Sequence, residues 1–128
     1  MVLGFRKHIL VVEDEIGLAE GVQARLNVEG YKTTIAYDGR AGMEAAKKIR
    51  PDLILMDILM PHINGWDLCR IVKTNPKTKD IPVIMCTALG QIGDSEKAFQ
   101  AGANDYITKP YDMRRLVEKV KRFLESKY

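Results

Sequence analysis

Five short apolar runs rich in β-branched residues recur along the chain, and each is followed by a stretch with helical spacing. The runs cover 8–12, 32–37, 53–56, 83–86 and 106–108. Because they are largely continuous rather than strictly alternating, they predict strands buried on both faces of a parallel sheet. Right-handed crossovers then give a doubly wound α/β fold, with helices on both faces of a five-stranded sheet.

The intervening stretches carry apolar stripes with helix-ending residues behind them. In the first, Leu18, Val22 and Leu26 share one face, and Gly30 is placed to end the helix. Asp94 or Ser95 is expected to begin the fourth helix, and Asp112 the fifth. The inward residues expected in the later helices are Gly42, Ala45, Ala46 and Ile49 in the second, Trp66, Cys69 and Val72 in the third, Ala98 and Phe99 in the fourth, and Met113, Leu116, Val117, Val120 and Leu124 in the fifth.

A length of 128 residues with no linker or repeat predicts a single domain over 1–128, with a core of about 8–123. The apolar runs are far shorter than the roughly 20 residues of a transmembrane helix, so we expect no membrane insertion. No apolar segment as long as a signal peptide requires accompanies Arg6 and Lys7, so we expect no signal peptide. Cys69 and Cys86 lack metal-ligand spacing, and we expect buried free thiols in a cytoplasmic protein.

The net charge of +3 is concentrated at one end of the chain. Residues 106–128 hold seven basic and three acidic residues. A basic helix of this kind is either a nucleic-acid patch or a solvated face. We favour the solvated face, and expect no direct nucleic-acid contact, because no interleaved aromatic residues or DNA-reading motif accompany the charge.

Reactive side chains follow four of the five predicted strands. Ligands of an open parallel sheet bind at the carboxyl ends of its strands. Carboxylates gathered there repel one another unless a cation intervenes, and oxygen ligands suit Mg²⁺. An aspartate can form an aspartyl phosphate, while a lysine and a hydroxyl hold phosphoryl oxygens. Each residue alone is more simply a turn, cap or surface residue, but together they indicate a phosphoryl-transfer site. The set comprises Glu13, Asp14 and Glu15 after the first strand, Asp57 after the third, Thr87 and Ala88 after the fourth, and Lys109 after the fifth.

Four motifs give the chain a family resemblance over about 8–123. They are Val-Val-Glu-Asp-Glu at 11–15, Asp-Ile-Leu-Met-Pro at 57–61 with Asn-Gly at 64–65, Cys-Thr-Ala at 86–88, and the segment 101–110 that ends in Thr-Lys-Pro. With them the chain resembles the receiver domain of bacterial two-component response regulators. The resemblance implies a sheet in the order 2-1-3-4-5 and a phosphoacceptor signalling domain rather than an enzyme, one that catalyses its own phosphorylation and slow dephosphorylation.

The resemblance also implies a role for each site residue. Asp57 corresponds to the phosphoacceptor. Asp14 corresponds to a direct Mg²⁺ ligand, and Glu13, where many members have Asp, to a ligand acting through water. The remaining implied roles are a metal-binding backbone carbonyl at Leu59, phosphate contacts by Thr87, Ala88 and Lys109, switching by Thr87 and Tyr106, and a cis bond between Lys109 and Pro110.

The partners implied by the resemblance are a histidine kinase or a histidine phosphotransfer protein. Output is expected through the face made by the fourth helix, fifth strand and fifth helix, toward a downstream target or effector domain, and a phosphorylation-dependent dimer is left open. We expect partner docking near Ile16 and Gly17, because Ile16 is apolar and lies outside the buried stripe of the first helix. Leu59 and Leu89, beside the phosphoryl position, are expected to slow its hydrolysis because neither can orient water.

Two other functions share this architecture. An aspartyl-phosphate phosphatase of the haloacid-dehalogenase kind needs a second aspartate two positions after the nucleophile, where this chain has Leu59. A flavodoxin-like cofactor carrier needs a first loop rich in Ser, Thr and Gly to cradle a phosphate, whereas Glu13, Asp14 and Glu15 would repel one. A flavin absorbance spectrum distinguishes the carrier.

Overall fold

The computed structural model describes residues 6–87, 96 and 99–125. The strands are β1 His8–Val12, β2 Lys32–Ala36, β3 Leu53–Asp57, β4 Val83–Thr87 and β5 Asp105–Thr108. All neighbours are parallel and pair in the order β2-β1-β3-β4-β5, which confirms the predicted fold class and strand order. The helices with described bounds are α1 Ile16–Val28, α2 Gly39–Ile49, α3 Gly65–Thr74 and a C-terminal helix Met113–Leu124.

The sheet separates two apolar cores. On one face, α2 and α3 pack through residues such as Ala46, Leu68 and Val72. On the other face, α1 and the C-terminal helix pack through residues such as Leu26 and Leu116. The central strands β1, β3 and β4 are buried on both sides, as their apolar runs predict. The same prediction is wrong for β2 and β5, which lie at the edges of the sheet and are partly exposed.

Glycine and capping side chains define the helix ends, as the sequence predicts for Gly30 and Asp112. Gly30 follows α1 with φ of +99°, a conformation that costs glycine little. The Asp112 side chain accepts hydrogen bonds from the backbone N–H of Arg114 and Arg115 and so begins the C-terminal helix. Asn64 begins α3 in the same way by accepting from Asp67 N at 3.0 Å.

The prediction that Phe99 points inward is wrong, because its side chain is 53% exposed. The Phe99 ring still makes one aromatic contact, because it meets the Tyr106 ring edge to face with the ring centroids 6.1 Å apart. Asp94, Ser95 and Ala98, named with it in the sequence prediction, lie outside the described residues.

The register brings the strand ends to one edge of the sheet. Val12 pairs with Met56, Asp57 with Cys86, and Thr87 with Thr108. Asp57 is therefore the last residue of β3 rather than the first after it. Among the described residues, no helix is long and apolar enough to cross a membrane.

Candidate functional site

Three carboxylates converge at the carboxyl edge of the sheet. Glu13 and Asp14 follow β1, and Asp57 ends the neighbouring β3. One ligand oxygen from each lies within 4.8 Å of the others. Glu13 and Asp57 are buried, at 3% and 5% exposure, whereas Asp14 is exposed. The cluster therefore has a closed inner side and a side open to solvent.

Lys109 places an ammonium between the two buried carboxylates. Its Nζ lies 2.7 Å from Glu13 Oε1 and 3.1 Å from Asp57 Oδ2. Burial alone disfavours the ammonium, but its hydrogen bonds and ion pairs with Glu13 and Asp57 outweigh burial and raise the pKa of Lys109. Lys109 therefore stays charged and partly offsets the repulsion within the cluster.

Both oxygens of Glu13 already have partners in the protein. Oε1 accepts from Lys109, and Oε2 accepts from the backbone N–H of Glu15 at 3.1 Å. Burial raises the pKa of Glu13, while the Lys109 ammonium and the Glu15 N–H oppose that rise. Glu13 is therefore engaged within the protein through one acceptor site on each of its oxygens.

The loop after β3 is held against the sheet. Ile58 N donates to Cys86 O at 3.2 Å, and Gly65 N donates to Ile58 O at 2.8 Å. Two large apolar side chains at this edge are exposed: Leu59 in the loop after β3, at 67%, and Ile16, the first residue of α1, at 59%. The exposure of Ile16 agrees with its predicted position outside the α1 stripe.

The donor set suits a hard divalent cation. Magnesium takes oxygen ligands, keeps several waters and uses only one or two carboxylates directly. Asp14 and Asp57 can supply those carboxylates while Glu13 remains bonded to Lys109. The acidic cluster could therefore hold such an ion.

The structure thus brings together Glu13, Asp14, Asp57 and Lys109 from three different strands, and the bond between Lys109 and Pro110 is cis. Thr87 ends β4, but its side chain, like Ala88 and Leu89, lies outside the described part of the structure.

Tyr106 lies on β5, half-buried against the core formed with α2 and α3. Its ring meets Phe99 at an interplanar angle of 87°, and the Lys119 Nζ stands 5.9 Å from the ring centroid. Lys119 also pairs with Asp105 at 3.0 Å. These contacts join Tyr106 to the basic C-terminal helix.

Sequence reasoning missed a polar pair beneath the carboxylates. Tyr111 is half-buried and packs in the same core as Cys86. The two side chains line a small cavity that Glu13 also lines. The signal in the sequence was a polar aromatic residue two positions after Lys109, where an apolar core residue would serve packing alone.

The model of the response regulator receiver domain family matches residues 9–121. The chain is 38% identical over 116 residues to the DNA-binding dual master transcriptional regulator RpaA of Synechocystis sp., covering 91% of this chain and 48% of that protein. It is 40% identical over 116 residues to the response regulator ArlR of Staphylococcus saprophyticus, covering 91% and 51%. The chain spans about half the length of these curated relatives.

A solved structure agrees with the sequence comparisons. The signal receiver domain of a signal transduction histidine kinase from Syntrophus aciditrophicus is 39% identical and superposes with a TM-score of 0.86, over 93% of this chain and 90% of that chain.

Proposed function

Because this chain belongs to the response regulator receiver domain family, we propose that it is a magnesium-dependent switch in which Asp57 accepts a phosphoryl group from a phosphohistidine. The observation that carries the proposal is the Asp57 carboxylate at a strand end, paired with Lys109 at 3.1 Å and within 4.8 Å of Glu13 and Asp14. The donor is a histidine kinase or a histidine phosphotransfer protein, and residues 1–128 act as one receiver domain.

In the transfer step, an Asp57 carboxylate oxygen attacks phosphorus. The new P–O bond forms as the P–N bond to the donor imidazole breaks, and the ring leaves neutral when its other nitrogen carries a proton. Lys109 is already beside the Asp57 oxygens. Its positive charge then pairs with the oxygens of the transferred phosphoryl group. Thr87 and the Ala88 backbone supply the remaining phosphate contacts.

Asp14, Asp57 and the Leu59 carbonyl hold Mg²⁺ in this proposal, and Glu13 reaches it through water. When bound, the ion neutralises charge on the phosphoryl oxygens. Glu13 keeps Lys109 beside Asp57 through the 2.7 Å contact. We assign direct metal binding to Asp14 and the positioning of Lys109 to Glu13 because the Asp14 carboxylate is exposed, whereas the Glu13 carboxylate is enclosed.

Output passes through Tyr106 to the surface of β5 and the C-terminal helix. A phosphoryl group adds charge and acceptor oxygens near Thr87, whose movement lets the Tyr106 ring turn. The excess of basic residues over acidic ones in 106–128 favours a partner, or a second copy, that presents carboxylates. Binding of an effector domain in the same chain would use the same face.

Intact-mass spectrometry tests the phosphoacceptor. With a small acyl-phosphate donor and Mg²⁺, the wild-type mass should rise by one phosphoryl group, and Asp57→Asn should not be labelled. Asp80→Asn, which changes an exposed aspartate before β4, is the matched control and should label as the wild type does. Equal labelling of Asp57→Asn would contradict the assignment.

The metal role of Asp14 is tested by the Mg²⁺ dependence of the same labelling. Asp14→Asn should need at least tenfold more Mg²⁺ for half-maximal labelling, because a magnesium site has few protein ligands to lose. Trp66, half-buried one residue into α3, offers a fluorescence readout of binding. Normal labelling of Asp14→Asn at low Mg²⁺ would reject the role.

NMR with beryllofluoride, a phosphoryl mimic, tests the output route. Chemical-shift changes should extend from Asp57 through Thr87 and Tyr106 into residues 90–120. A double variant, Thr87→Ala with Tyr106→Ala, should lose the distant changes and keep those near Asp57. Changes confined to the carboxylate edge, or an unaltered distant response in the double variant, would exclude this route.

A further inference from the structure

The loop between β3 and α3 contains a strained three-residue turn. Ile63 N donates a hydrogen bond to Pro61 O at 2.8 Å, and His62 between them has φ of +72°. This is a γ-turn whose central residue lies in the left-handed region, a rare conformation that costs free energy when that residue carries a Cβ. Such strain persists only where the surrounding structure holds it. The turn is therefore held by contacts outside itself.

The Ile63 side chain supplies such a contact by packing against α2. It is partly buried against the core formed with α2 and α3. Gly39, the first residue of α2, approaches it so closely that an added Cβ would overlap Ile63 Cγ2. An isoleucine side chain is stiff at χ1, so it does not readily turn aside. The contact with Gly39 therefore fixes the end of the turn on α2.

The same loop contacts the Asp57 carboxylate. Leu59 N donates to Asp57 Oδ1 at 3.4 Å, and Lys109 Nζ lies 3.1 Å from Asp57 Oδ2. The terminal torsion of an aspartate is broad, so the orientation of its carboxylate depends on the partners of its oxygens. One oxygen of Asp57 thus depends on the loop, and the other depends on Lys109.

The loop is closed at its base, which connects the two contacts. Gly65 N donates to Ile58 O at 2.8 Å, so 59–64 form a short closed segment. Met60 is buried in the same core as Ile63, but an unbranched methionine adapts to movement more easily than an isoleucine. Loss of the Ile63 contact would therefore let the segment rotate about its base and carry the Leu59 amide away from Asp57.

We propose that Ile63 is a positioning residue for Asp57: packed against Gly39, it holds the loop so that the Leu59 amide keeps the Asp57 carboxylate in one orientation. The proposal deepens the proposed function and rests on it for the effect on phosphoryl transfer. The effect on the Leu59 amide does not depend on that function.

Backbone NMR measures the Leu59 amide directly. In ¹⁵N-labelled protein, the order parameter of this amide should match those of the β3 amides. Ile63→Ala should lower it, whereas Ile63→Val, which keeps a methyl group at the Cγ2 position, should retain it. Ile81→Ala is the matched control, because it truncates the same type of side chain in the same core, just before β4 at the opposite edge of the sheet. It should leave the Leu59 order parameter unchanged.

The contact is also tested from the side of α2. Gly39→Ala should lower the Leu59 order parameter and the free energy of unfolding, because the new methyl group displaces Ile63. In Gly42→Ala, on the same helix, the new Cβ meets Val12 at 3.0 Å instead of the loop, and Leu59 should be unaffected. The double variant Gly39→Ala with Ile63→Ala should be more stable than the sum of the single losses predicts, because the added methyl group fills space that the isoleucine leaves.

Acyl-phosphate labelling measures the effect on Asp57. At saturating Mg²⁺, Ile63→Ala should be labelled more slowly by roughly two- to tenfold, the range expected when one hydrogen bond to the reacting carboxylate is lost. Ile81→Ala should be labelled at the wild-type rate.

An unchanged Leu59 order parameter in Ile63→Ala overturns the proposal, as does an equal decrease in Ile81→Ala, which would reflect stability alone. Additive losses in the double variant overturn the contact with Gly39. A loosened Leu59 amide with labelling at the wild-type rate overturns the positioning of Asp57. If the wild type is not labelled at all, the proposed function fails, and the order parameters still decide whether Ile63 holds the Leu59 amide.

Discussion

Gly65 is the residue at which a single methyl group should most disturb the carboxylate edge. It begins α3, and a Cβ added there would lie 2.4 Å from the Asp57 carbonyl oxygen and 2.7 Å from Ile58 Cα. Both neighbours are backbone atoms in or directly after the central strand β3, so they cannot turn aside as a side-chain tip can. Gly65→Ala therefore forces the start of α3 away from the sheet.

The size of the effect follows from these distances. Restoring ordinary van der Waals separation requires a shift of roughly one ångström in a packed helix end. Overpacking of this kind costs about 1–3 kcal/mol. For a chain of this length, each kcal/mol lowers the melting temperature by roughly 4 °C, so we expect Gly65→Ala to melt about 4–12 °C lower.

Replacing a glycine by alanine in an exposed helix position should instead increase the stability of the protein. Gly21 lies within α1, is exposed and has nothing within 4 Å of an added Cβ. Gly21→Ala should stabilise the protein by about 0.5–1 kcal/mol through helix propensity. Thermal and urea unfolding of both variants checks the pair. A Gly65→Ala protein as stable as the wild type would refute the close approach of α3 to β3. A Gly21→Ala protein less stable than the wild type would refute helix propensity as the dominant effect at that position.

Three further results are expected. Leu59→Asn should shorten the lifetime of the phosphorylated form several-fold, measured by loss of the added mass, because an exposed amide can orient attacking water; unchanged or slower loss would contradict the water-access argument. Ile16→Arg should slow transfer from a phosphohistidine partner while labelling by a small donor stays normal, and equal loss with both donors would mean that the carboxylate edge itself was damaged. Burial, with a smaller contribution from Lys32, lowers the pKa of His8 below its usual value of 6.5. The unfolded chain therefore binds the proton more readily, and the free energy of unfolding should fall as pH drops through 6.5, with His8→Gln flattening that dependence in urea titrations.

The fold could be predicted from the sequence because its signals repeat. Five apolar runs and the helical stripes that follow them all agree on one layered arrangement, and turn residues such as Gly30 mark the ends. The location of the carboxylates could also be predicted from the sequence, because parallel strands bring their carboxyl ends together whatever the detailed packing. Glu13, Asp57 and Lys109 meet for that reason alone.

Contacts set by shape could not be predicted in this way. Phe99 meets the Tyr106 ring of β5 and yet stays 53% exposed, an arrangement that hydrophobic spacing does not define. The use of both Glu13 oxygens within the protein depends on side-chain directions at ångström scale. Tyr111 and Cys86 are 25 positions apart in the sequence and line the same cavity only because the fold brings them together.

The two contacts of the Tyr106 ring set how strongly they favour its present orientation. An edge-to-face pair such as that with Phe99 contributes about 0.5–1.5 kcal/mol, and a largely buried cation such as Lys119 near the ring about 0.5–2 kcal/mol. Together these contacts favour the described orientation over a ring without them by roughly 5- to 400-fold. A ring held by these contacts alone would populate the other orientation at about 0.3 to 15 per cent before any signal arrives, and relaxation-dispersion NMR measures such a minority. A signal that stabilises the other orientation by about 4 kcal/mol would reverse the majority.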